Sequence, residues 1–165
     1  IMLSRTGLQT VERSDSVSLA GLTEEVFCDL DPVADKHQIR LIQTEGDCTV
    51  TGSYILLYRA VYNLVENAIK YNRPSGSVTV SIHSAESAVL EVTDTGIGIS
   101  PENQEKIFDP FYRVDKSRSR AMGGAGLGLA LVSEIARQHN GQVKVTQSSE
   151  KGSTIALILP ESTDY

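Results

Sequence analysis

Three polar side chains in the stretch NLVENAIKYN, residues 63–72, have the types and the spacing to do chemistry together. On a helix, Asn63, Asn67 and Lys70 fall on one face, because residues three and four apart lie above one another. A carboxamide oxygen is a neutral ligand for a hard cation such as Mg²⁺, and a lysine one turn further on supplies positive charge for a phosphate. The pattern indicates a metal and phosphate site, and the alternative is a merely solvated helix face.

A second cluster, DTGIGI at residues 94–99, stands where a predicted strand ends. Gly96 and Gly98 let the backbone approach a ligand closely, and the Asp94 carboxylate can accept a hydrogen bond from an exocyclic amine such as that of adenine. No third glycine opens a long helix, so the dinucleotide-binding fingerprint is not met. The alternative is a tight turn capped by Asp94.

A third cluster, GGAGLGLALV at residues 123–132, places glycines before and inside a helix start. The free N–H groups of a helix N-terminus bind phosphate, and Gly124 and Gly126 would let the backbone close over it. The stretch is not a P-loop, because no lysine followed by serine or threonine comes after the last glycine. A flexible hinge with a small-residue helix contact is the alternative.

The segment between these clusters is long, basic and irregular. FDPFYRVDKSRSR, residues 108–120, carries Arg113, Lys116, Arg118 and Arg120 in an otherwise acidic chain. Such a loop facing a glycine-rich helix start would neutralise a triphosphate, although a solvated charge run is the alternative. Residues 109–126 show almost no apolar periodicity, which is typical of a lid or binding loop.

Helices and hairpins must position these clusters. Periodicity predicts helices over 21–37 with an irregularity at Pro32, over 53–72, in a short piece from Pro101 with Ser100 as N-cap, and over 126–140. Period-two stretches predict three hairpins, IRLIQ with CTVTG, SVTVSIHS with AVLEVTD, and QVKVTQS with GSTIALILP. The predicted strand core is Val78, Val80, Ile82, Val89 and Val92.

This order of elements predicts the fold class. Helices are interleaved with antiparallel hairpins, without the regular strand and helix alternation of a parallel sheet. We therefore expect an α+β fold, a two-layer sandwich in which helices cover one face of a mixed, mostly antiparallel sheet, with a lid loop.

Composition limits the classes of function. The chain has 165 residues and a formal net charge of −6, which suits one domain and disfavours nucleic acid as a partner. No apolar run approaches the roughly 18 residues of a membrane helix, so we expect no direct membrane contact by this domain. Because the first residue is Ile1, we expect a piece of a longer protein, and Cys28 and Cys48 are expected to be reduced in a cytoplasmic compartment.

Taken together, four motifs resemble the catalytic and ATP-binding domain of two-component sensor histidine kinases. They are N-x-x-x-N-A-x-K-Y at 63–71, D-x-G-x-G at 94–98, F-D-P-F at 108–111 and G-x-G-L-G-L at 124–129. The resemblance covers about residues 17–160 and implies the ATP-binding sandwich shared with DNA gyrase, heat-shock chaperones and mismatch-repair ATPases. It implies that residues 17–165 are the ATP-binding catalytic domain, and that residues 1–16 are the remnant of a preceding dimerisation helix with a linker.

The resemblance also implies roles for the matching residues. Asn67 would ligate Mg²⁺, Asn63 and Lys70 would contact or position the phosphates, and Asp94 would accept the adenine amino proton. Tyr71 would lie along the adenine or ribose. The residues implied to act in catalysis are Asn63, Asn67, Lys70 and Arg113. The implied nucleotide-binding residues further include Tyr71, Asp94, Gly96, Ile97, Gly98, Ile99, Tyr112, Arg113, Lys116, Gly124, Ala125, Gly126, Leu127, Gly128, Leu129 and, through water, Thr154.

Asn63 distinguishes this chain from the hydrolysing members of the superfamily. Those members keep a glutamate four residues before the metal asparagine, where it activates water. A carboxamide cannot act as a general base, so fast hydrolysis is disfavoured and the γ-phosphate is kept for another nucleophile. Glu66 is the alternative base, although adjacent helical positions turn it about 100° from Asn67.

In this family the nucleophile is a histidine on a separate dimerisation domain, and the three histidines of this chain do not qualify. His37 lies in a turn, His83 on an exposed strand face, and His139 in a last helical turn, where positive charge suits the helix dipole. None precedes the acidic residue and Thr-Pro of the phosphoacceptor motif. The resemblance thus implies a phosphate donor in a two-component system.

The implied partners are ATP, a histidine-bearing dimerisation domain of the same parent and a response regulator receiver domain. The domain is expected in the cytoplasm, with a parent that is an integral membrane sensor of the bacterial cell membrane. Two alternatives stay open, a nucleotide-binding module without catalysis, and an ATPase or serine kinase of the same superfamily.

Overall fold

A computed structural model describes residues 15–110 and 128–162 of the chain. The elements in chain order are β1 (Asp15–Ser18), α1 (Leu19–Lys36), β2 (Arg40–Gln43), β3 (Thr49–Gly52), α2 (Tyr54–Lys70), β4 (Ser77–Ala85), β5 (Ser87–Asp94), two 3₁₀ turns (Pro101–Asn103 and Lys106–Phe108), α3 (Gly128–Gln138), β6 (Gln142–Ser149) and β7 (Gly152–Leu159). The predictions for residues 1–14, including the remnant dimerisation helix, lie outside the described residues.

The strands form a mixed five-stranded sheet and a separate two-stranded sheet. The larger sheet has the order β2-β4-β5-β7-β6, in which β2 runs parallel to β4 and every other pair is antiparallel. Buried residues of α1, α2 and α3 join those of the sheet in one apolar cluster. The predicted α+β fold with a mixed, mostly antiparallel sheet is confirmed.

Helix α2 forms where the periodicity predicts it. Ser53 caps its start, with its hydroxyl oxygen accepting the Leu56 N–H at 3.3 Å, and Tyr71 is the C-cap. One side of the helix is buried, namely Leu57, Ala60, Val61, Leu64, Val65, Ala68 and Ile69. Burying this apolar stripe leaves Asn63, Asn67 and Lys70 on the half-buried opposite side.

The first predicted hairpin is wrong. Strands β2 and β3 do not pair with each other, because β2 lies parallel to β4 and β3 pairs antiparallel with β1, with Val50 opposite Val17. Strands of four residues carry too little alternation to specify a partner, and β1, the partner of β3, begins within the predicted linker. Strand β1 therefore spans the expected domain start at Val17.

The other two hairpins are confirmed, but one core residue in them is not. Strand β4 pairs with β5, and β6 pairs with β7 across an irregularity between Val145 and Gln147. Val89 was expected in the core, whereas Leu90 is buried and Val89 is half-exposed. Because alternate residues share a face, the buried Val92 places Leu90 and Ala88 inside and Val89 outside.

Two predicted helices differ in detail. The short helix after Ser100 is replaced by the two 3₁₀ turns, and the Ser100 side chain does not cap a backbone N–H, but accepts a hydrogen bond from Asn103 Nδ2 at 2.7 Å. Helix α3 ends through a left-handed residue at Asn140, after which the Gly141 N–H bonds the Ala136 carbonyl at 2.8 Å. In the described part of the chain, no helix is both long and apolar enough to cross a membrane.

Candidate functional site

The candidate site begins with the polar face of α2. The Asn63 carboxamide donates from Nδ2 to the Arg59 carbonyl at 3.0 Å. Lys70 Nζ lies 3.8 Å from Glu66 Oε2, in a partly exposed pair one turn apart. Among the described residues, Asn67 makes no side-chain hydrogen bond, so its carboxamide oxygen is available to a cation.

Asp94 ends β5 as a partly buried carboxylate with fixed partners. Its Oδ1 accepts the backbone N–H groups of Gly96 at 2.9 Å and Ser153 at 3.2 Å, and its Oδ2 accepts the Ser153 hydroxyl at 3.1 Å. Burial raises the pKa of the Asp94 carboxyl, while these hydrogen bonds act in the opposite direction. A carboxylate oxygen accepts more than one hydrogen bond, so Oδ2 can take a further donor from a ligand.

The glycines after Asp94 bring its loop against α2 and the last hairpin. A Cβ on Gly96 would lie 2.3 Å from the Tyr71 carbonyl oxygen, which excludes any side chain there. Gly98 has φ +78°, and a Cβ on it would lie 2.0 Å from the Ser149 carbonyl oxygen. Between and after them, Ile97 is 43% exposed, and the Ile99 N–H donates to Ser148 Oγ at 2.7 Å.

The start of α3 lies beside the other end of the α2 polar face. A Cβ on Gly128 would lie 3.5 Å from Asn63 Oδ1, so this part of the glycine cluster adjoins Asn63. Leu129, the next residue, is half-buried against the core. The structure thus brings together the described parts of all three sequence clusters along α2.

The site is elongated. Asn63 and Tyr71 are eight residues apart on or at the end of α2, which corresponds to about 12 Å along the helix. The Asp94 loop contacts the Tyr71 end, and α3 starts at the Asn63 end. This arrangement fits a ligand with a hydrogen-bond donor at the Asp94 end and with negative charge along α2, from Lys70 towards the start of α3.

The donor set suits a metal brought in by a ligand rather than a cation held by protein alone. Within residues 15–110 and 128–162, no group of three or more His, Cys, Asp or Glu side chains could hold a metal ion. A single carboxamide oxygen at Asn67 fits Mg²⁺, which keeps waters and is commonly completed by substrate phosphates.

Seven predicted site residues lie outside the described residues, namely Tyr112, Arg113, Lys116, Gly124, Ala125, Gly126 and Leu127. Thr154 is 7% exposed, and its hydroxyl pairs with the Thr93 hydroxyl at 2.9 Å. The residue that contacts Asp94 is its neighbour Ser153, which sequence reasoning missed, although both belong to the GST stretch that begins β7.

The three histidines lie at different places in the fold. His37 is the C-cap of α1, and exposed His83 Nδ1 lies 3.8 Å from Glu91 Oε1. His139 is 3% exposed, and its Nε2 accepts the Ser53 N–H at 3.1 Å. The His139 Nε2 lone pair is therefore engaged by the backbone at the start of α2.

Comparison with known proteins finds a matching family and similar sensor histidine kinases. Residues 52–163 match the family described as histidine kinase-, DNA gyrase B-, and HSP90-like ATPase. Sensor-like histidine kinase SenX3 of Mycolicibacterium smegmatis is 39% identical over 168 residues, which cover 99% of this chain and 44% of that protein. The chain thus spans less than half the length of this relative.

Solved structures that resemble this chain include a sensor histidine kinase. The mycobacterial sensor histidine kinase MprB superimposes with a TM-score of 0.76 and 29% identity, covering 91% of this chain and 99% of that chain. Full-length ShkA in complex with AMPPNP has a TM-score of 0.84 and 26% identity, covering 98% of this chain and 34% of that chain.

Proposed function

The chain belongs to the family of histidine kinase-, DNA gyrase B- and HSP90-like ATPases, and on that premise we propose that it binds Mg-ATP and donates the γ-phosphate to a histidine on a separate dimerisation domain. The proposal rests on one observation. Asn67, Lys70 and the Asp94 loop lie together along one face of α2. This arrangement offers a metal ligand, a positive charge and a carboxylate acceptor to one elongated ligand.

Asp94 would recognise the adenine. Its carboxylate is held by Gly96 and Ser153, so it is oriented before a ligand binds. Gly96 and Gly98 allow the base to approach the loop, and Tyr71 lies where α2 ends beside it. ShkA, a structural relative, is described in complex with AMPPNP, which carries an adenine and three phosphates.

The phosphates would lie along α2 towards the start of α3. Lys70 supplies positive charge, Asn63 and the Gly128 end of α3 adjoin each other, and Asn67 would hold Mg²⁺. Bound Mg²⁺ would neutralise charge that develops on the phosphate oxygens during transfer. Arg113 and Lys116 are proposed to reach the same phosphates, with backbone amides of residues 124–128 adding further donors.

Asn63 favours transfer over hydrolysis. A carboxamide at this place cannot remove a proton from water, and in the structure it bonds the Arg59 carbonyl. Glu66, the alternative base, is paired with Lys70. An ATPase or serine kinase would instead show steady hydrolysis that collapses in Glu66→Gln.

The acceptor and the later partner are proposed from the relatives. SenX3 is named a sensor-like histidine kinase, and no histidine of this chain has the phosphoacceptor pattern. We propose that the acceptor is on a dimerisation domain of the same parent, that a response regulator receiver domain takes the phosphate next, and that this domain works in the cytoplasm below a membrane sensor.

The proposal predicts metal-dependent transfer in trans. The chain would be mixed with a separately expressed dimerisation domain of its parent and γ-labelled ATP, and acid-labile phosphate should form on that partner. Asn67→Ala should reduce transfer at least about tenfold, because a charge-assisted ligand is lost. Asn140→Gly, which removes a carboxamide but tolerates the left-handed backbone at φ +60°, is the control and should transfer normally.

Metal removal separates binding from transfer. Wild type should lose ATP affinity when EDTA removes Mg²⁺, whereas Asn67→Ala should respond less to EDTA. Equal responses of the two proteins would contradict the metal role of Asn67. ATP binding without any labelled partner would instead support a nucleotide-binding module without catalysis.

A further inference from the structure

Asn72 is a buried polar residue, just beyond the end of α2, that the proposed ATP site does not itself use. It is 8% exposed and follows Asn67 by five residues. Its Nδ2 donates to the Ser77 carbonyl at 2.8 Å, and its Oδ1 accepts the Arg73 N–H at 2.8 Å and the Thr95 hydroxyl at 2.8 Å. A buried carboxamide with three partners fixes the segments that it joins.

The partners determine which way this carboxamide points. The backbone N–H of Arg73 can only donate and the carbonyl of Ser77 can only accept, so the oxygen and nitrogen of Asn72 cannot be exchanged. The Thr95 hydroxyl donates to Asn72 Oδ1, and its oxygen accepts the Ser77 N–H at 3.0 Å. Asn72, Ser77 and Thr95 therefore form a closed ring of hydrogen bonds.

Close packing adds to this ring. A Cβ on Gly76 would lie 2.4 Å from both Asn72 Oδ1 and Thr95 Oγ1. On the other side, a Cβ on Gly96 would lie 3.1 Å from the Asn72 Cα and 3.1 Å from Asp94 Oδ1. The end of α2 and the Asp94 loop are therefore in close contact at Gly96.

We infer that Asn72 and Thr95 are positioning residues that set the distance between the metal-binding face of α2 and the adenine-binding carboxylate of Asp94. Thr95 adjoins Asp94 in the chain, and Asn72 follows the last turn of α2. A nucleotide must satisfy both ends of the site at once, so its affinity depends on this distance. The inference rests on the proposed function, since it needs base and phosphates bound at these two places.

The test compares ATP, which would contact both α2 and Asp94, with adenosine, which would contact the adenine end at Asp94 alone. Thr95→Val removes the hydroxyl at similar volume, and calorimetry would measure ATP and adenosine at a temperature where circular dichroism shows the variant fully folded. We expect ATP affinity to fall about tenfold, the effect of losing one part-buried hydrogen bond, and adenosine affinity to fall less than about twofold. If Thr95 only stabilised the fold, the affinities for ATP and for adenosine would fall by the same factor.

A conservative variant and a control variant test whether the effect depends on the hydroxyl at position 95. Thr95→Ser keeps the hydroxyl and should bind ATP within about twofold of wild type. Thr79→Val, at a half-buried position of β4, should change neither affinity. If Thr95→Val is poorly folded, Asn72→Ala replaces it, because it removes the acceptor for Thr95 and the donor to Ser77 without adding charge and should show the same selective loss of ATP.

Two results would overturn the inference. One is wild-type ATP affinity in Thr95→Val and Asn72→Ala, and the other is an equal loss of ATP and adenosine affinity in both. A wild-type chain that binds neither ligand would refute the proposed function, and the positioning role with it. Selective loss of ATP in a chain that binds both supports the inference.

Discussion

At the scale of single residues, Asp94 combines the two properties that recognition of an adenine amine requires. Its oxygens are held by Gly96 and Ser153, and its burial excludes much of the water that would compete with a ligand. The same burial penalises the charged form, so the folded chain bears an energetic penalty that a ligand bound as proposed would offset. Binding and stability are therefore expected to respond oppositely to removal of this charge.

Asp94→Asn should weaken ATP binding about 10- to 100-fold, because a hydrogen bond to a charged acceptor is lost. The chain should remain folded, since an asparagine oxygen can still accept the Gly96 and Ser153 N–H groups. Isothermal calorimetry measures the affinity. Asp31→Asn, an exposed change on α1, is the matched control and should bind like wild type.

The pH dependence of Asp94 has a defined sign. Because the pKa of Asp94 is raised in the folded chain, its contribution to stability is fully present below the unfolded pKa and is lost as pH rises through the folded pKa. At pH 7, Asp94→Asn should therefore melt at the same or a higher temperature than wild type, and the difference should shrink towards pH 4. A clearly lower melting temperature of the variant at pH 7 would contradict this assignment.

At the scale of elements, β5 shows how the register decides which residues stabilise the sheet. Leu90 is fully buried, while its neighbour Val89 is half-exposed and lies opposite His83 and Ile158 on the other face. The strand lies between β4 and β7, so its inner face contributes to the middle of the core. Adjacent positions should therefore differ strongly in their tolerance of truncation.

Leu90→Ala should lower the free energy of unfolding by about 2–5 kcal/mol, through lost burial and a residual cavity. Val89→Ala, one residue away in the same strand, should lower it by less than about 1 kcal/mol. Urea denaturation of the two variants measures both values. Equal losses would mean that the register given for β5 is wrong.

At the scale of the whole molecule, one buried histidine connects helices that are far apart in the chain. His139, just after α3, accepts the N–H of Ser53 at the start of α2, and its Nδ1 lies 2.8 Å from the Ile135 carbonyl. A Cβ on Gly52 would lie 2.4 Å from the ring, so backbone and ring are in close contact. The end of α3 is thereby anchored to the helix that carries Asn63 and Asn67.

His139→Ala should destabilise the chain by about 2–3 kcal/mol, because it leaves the Ser53 N–H and the Ile135 carbonyl without this partner. Amide exchange at the start of α2, followed by NMR, should accelerate in the same variant. The control is His83→Ala, which removes an exposed histidine and should change stability by less than about 0.5 kcal/mol. Similar losses for both variants would exclude the anchoring role.

Local sequence was sufficient to predict helix α2 and much of the candidate site. The 3.6-residue periodicity of α2 defines its buried stripe, and burial of that stripe puts Asn63, Asn67 and Lys70 together on the opposite face. The sequence likewise predicted that Asp94 ends a strand and that a glycine-rich turn follows it, because strand alternation and glycine spacing are local properties. The family followed from the order of these motifs, and the roles of all the site residues, inside and outside the described ranges, stay predictions.

Contacts between distant segments required the tertiary structure. The partners of β2 and β3, the contact of Ser153 with Asp94, the bond of His139 to Ser53 and the ring around Asn72 all join residues brought together by the fold. Short strands do not specify their partners, and a buried polar residue looks like any other in the sequence until its hydrogen bonds are known. The sequence by itself determined which residues could bind a nucleotide, and the tertiary structure decided which residues hold them in place.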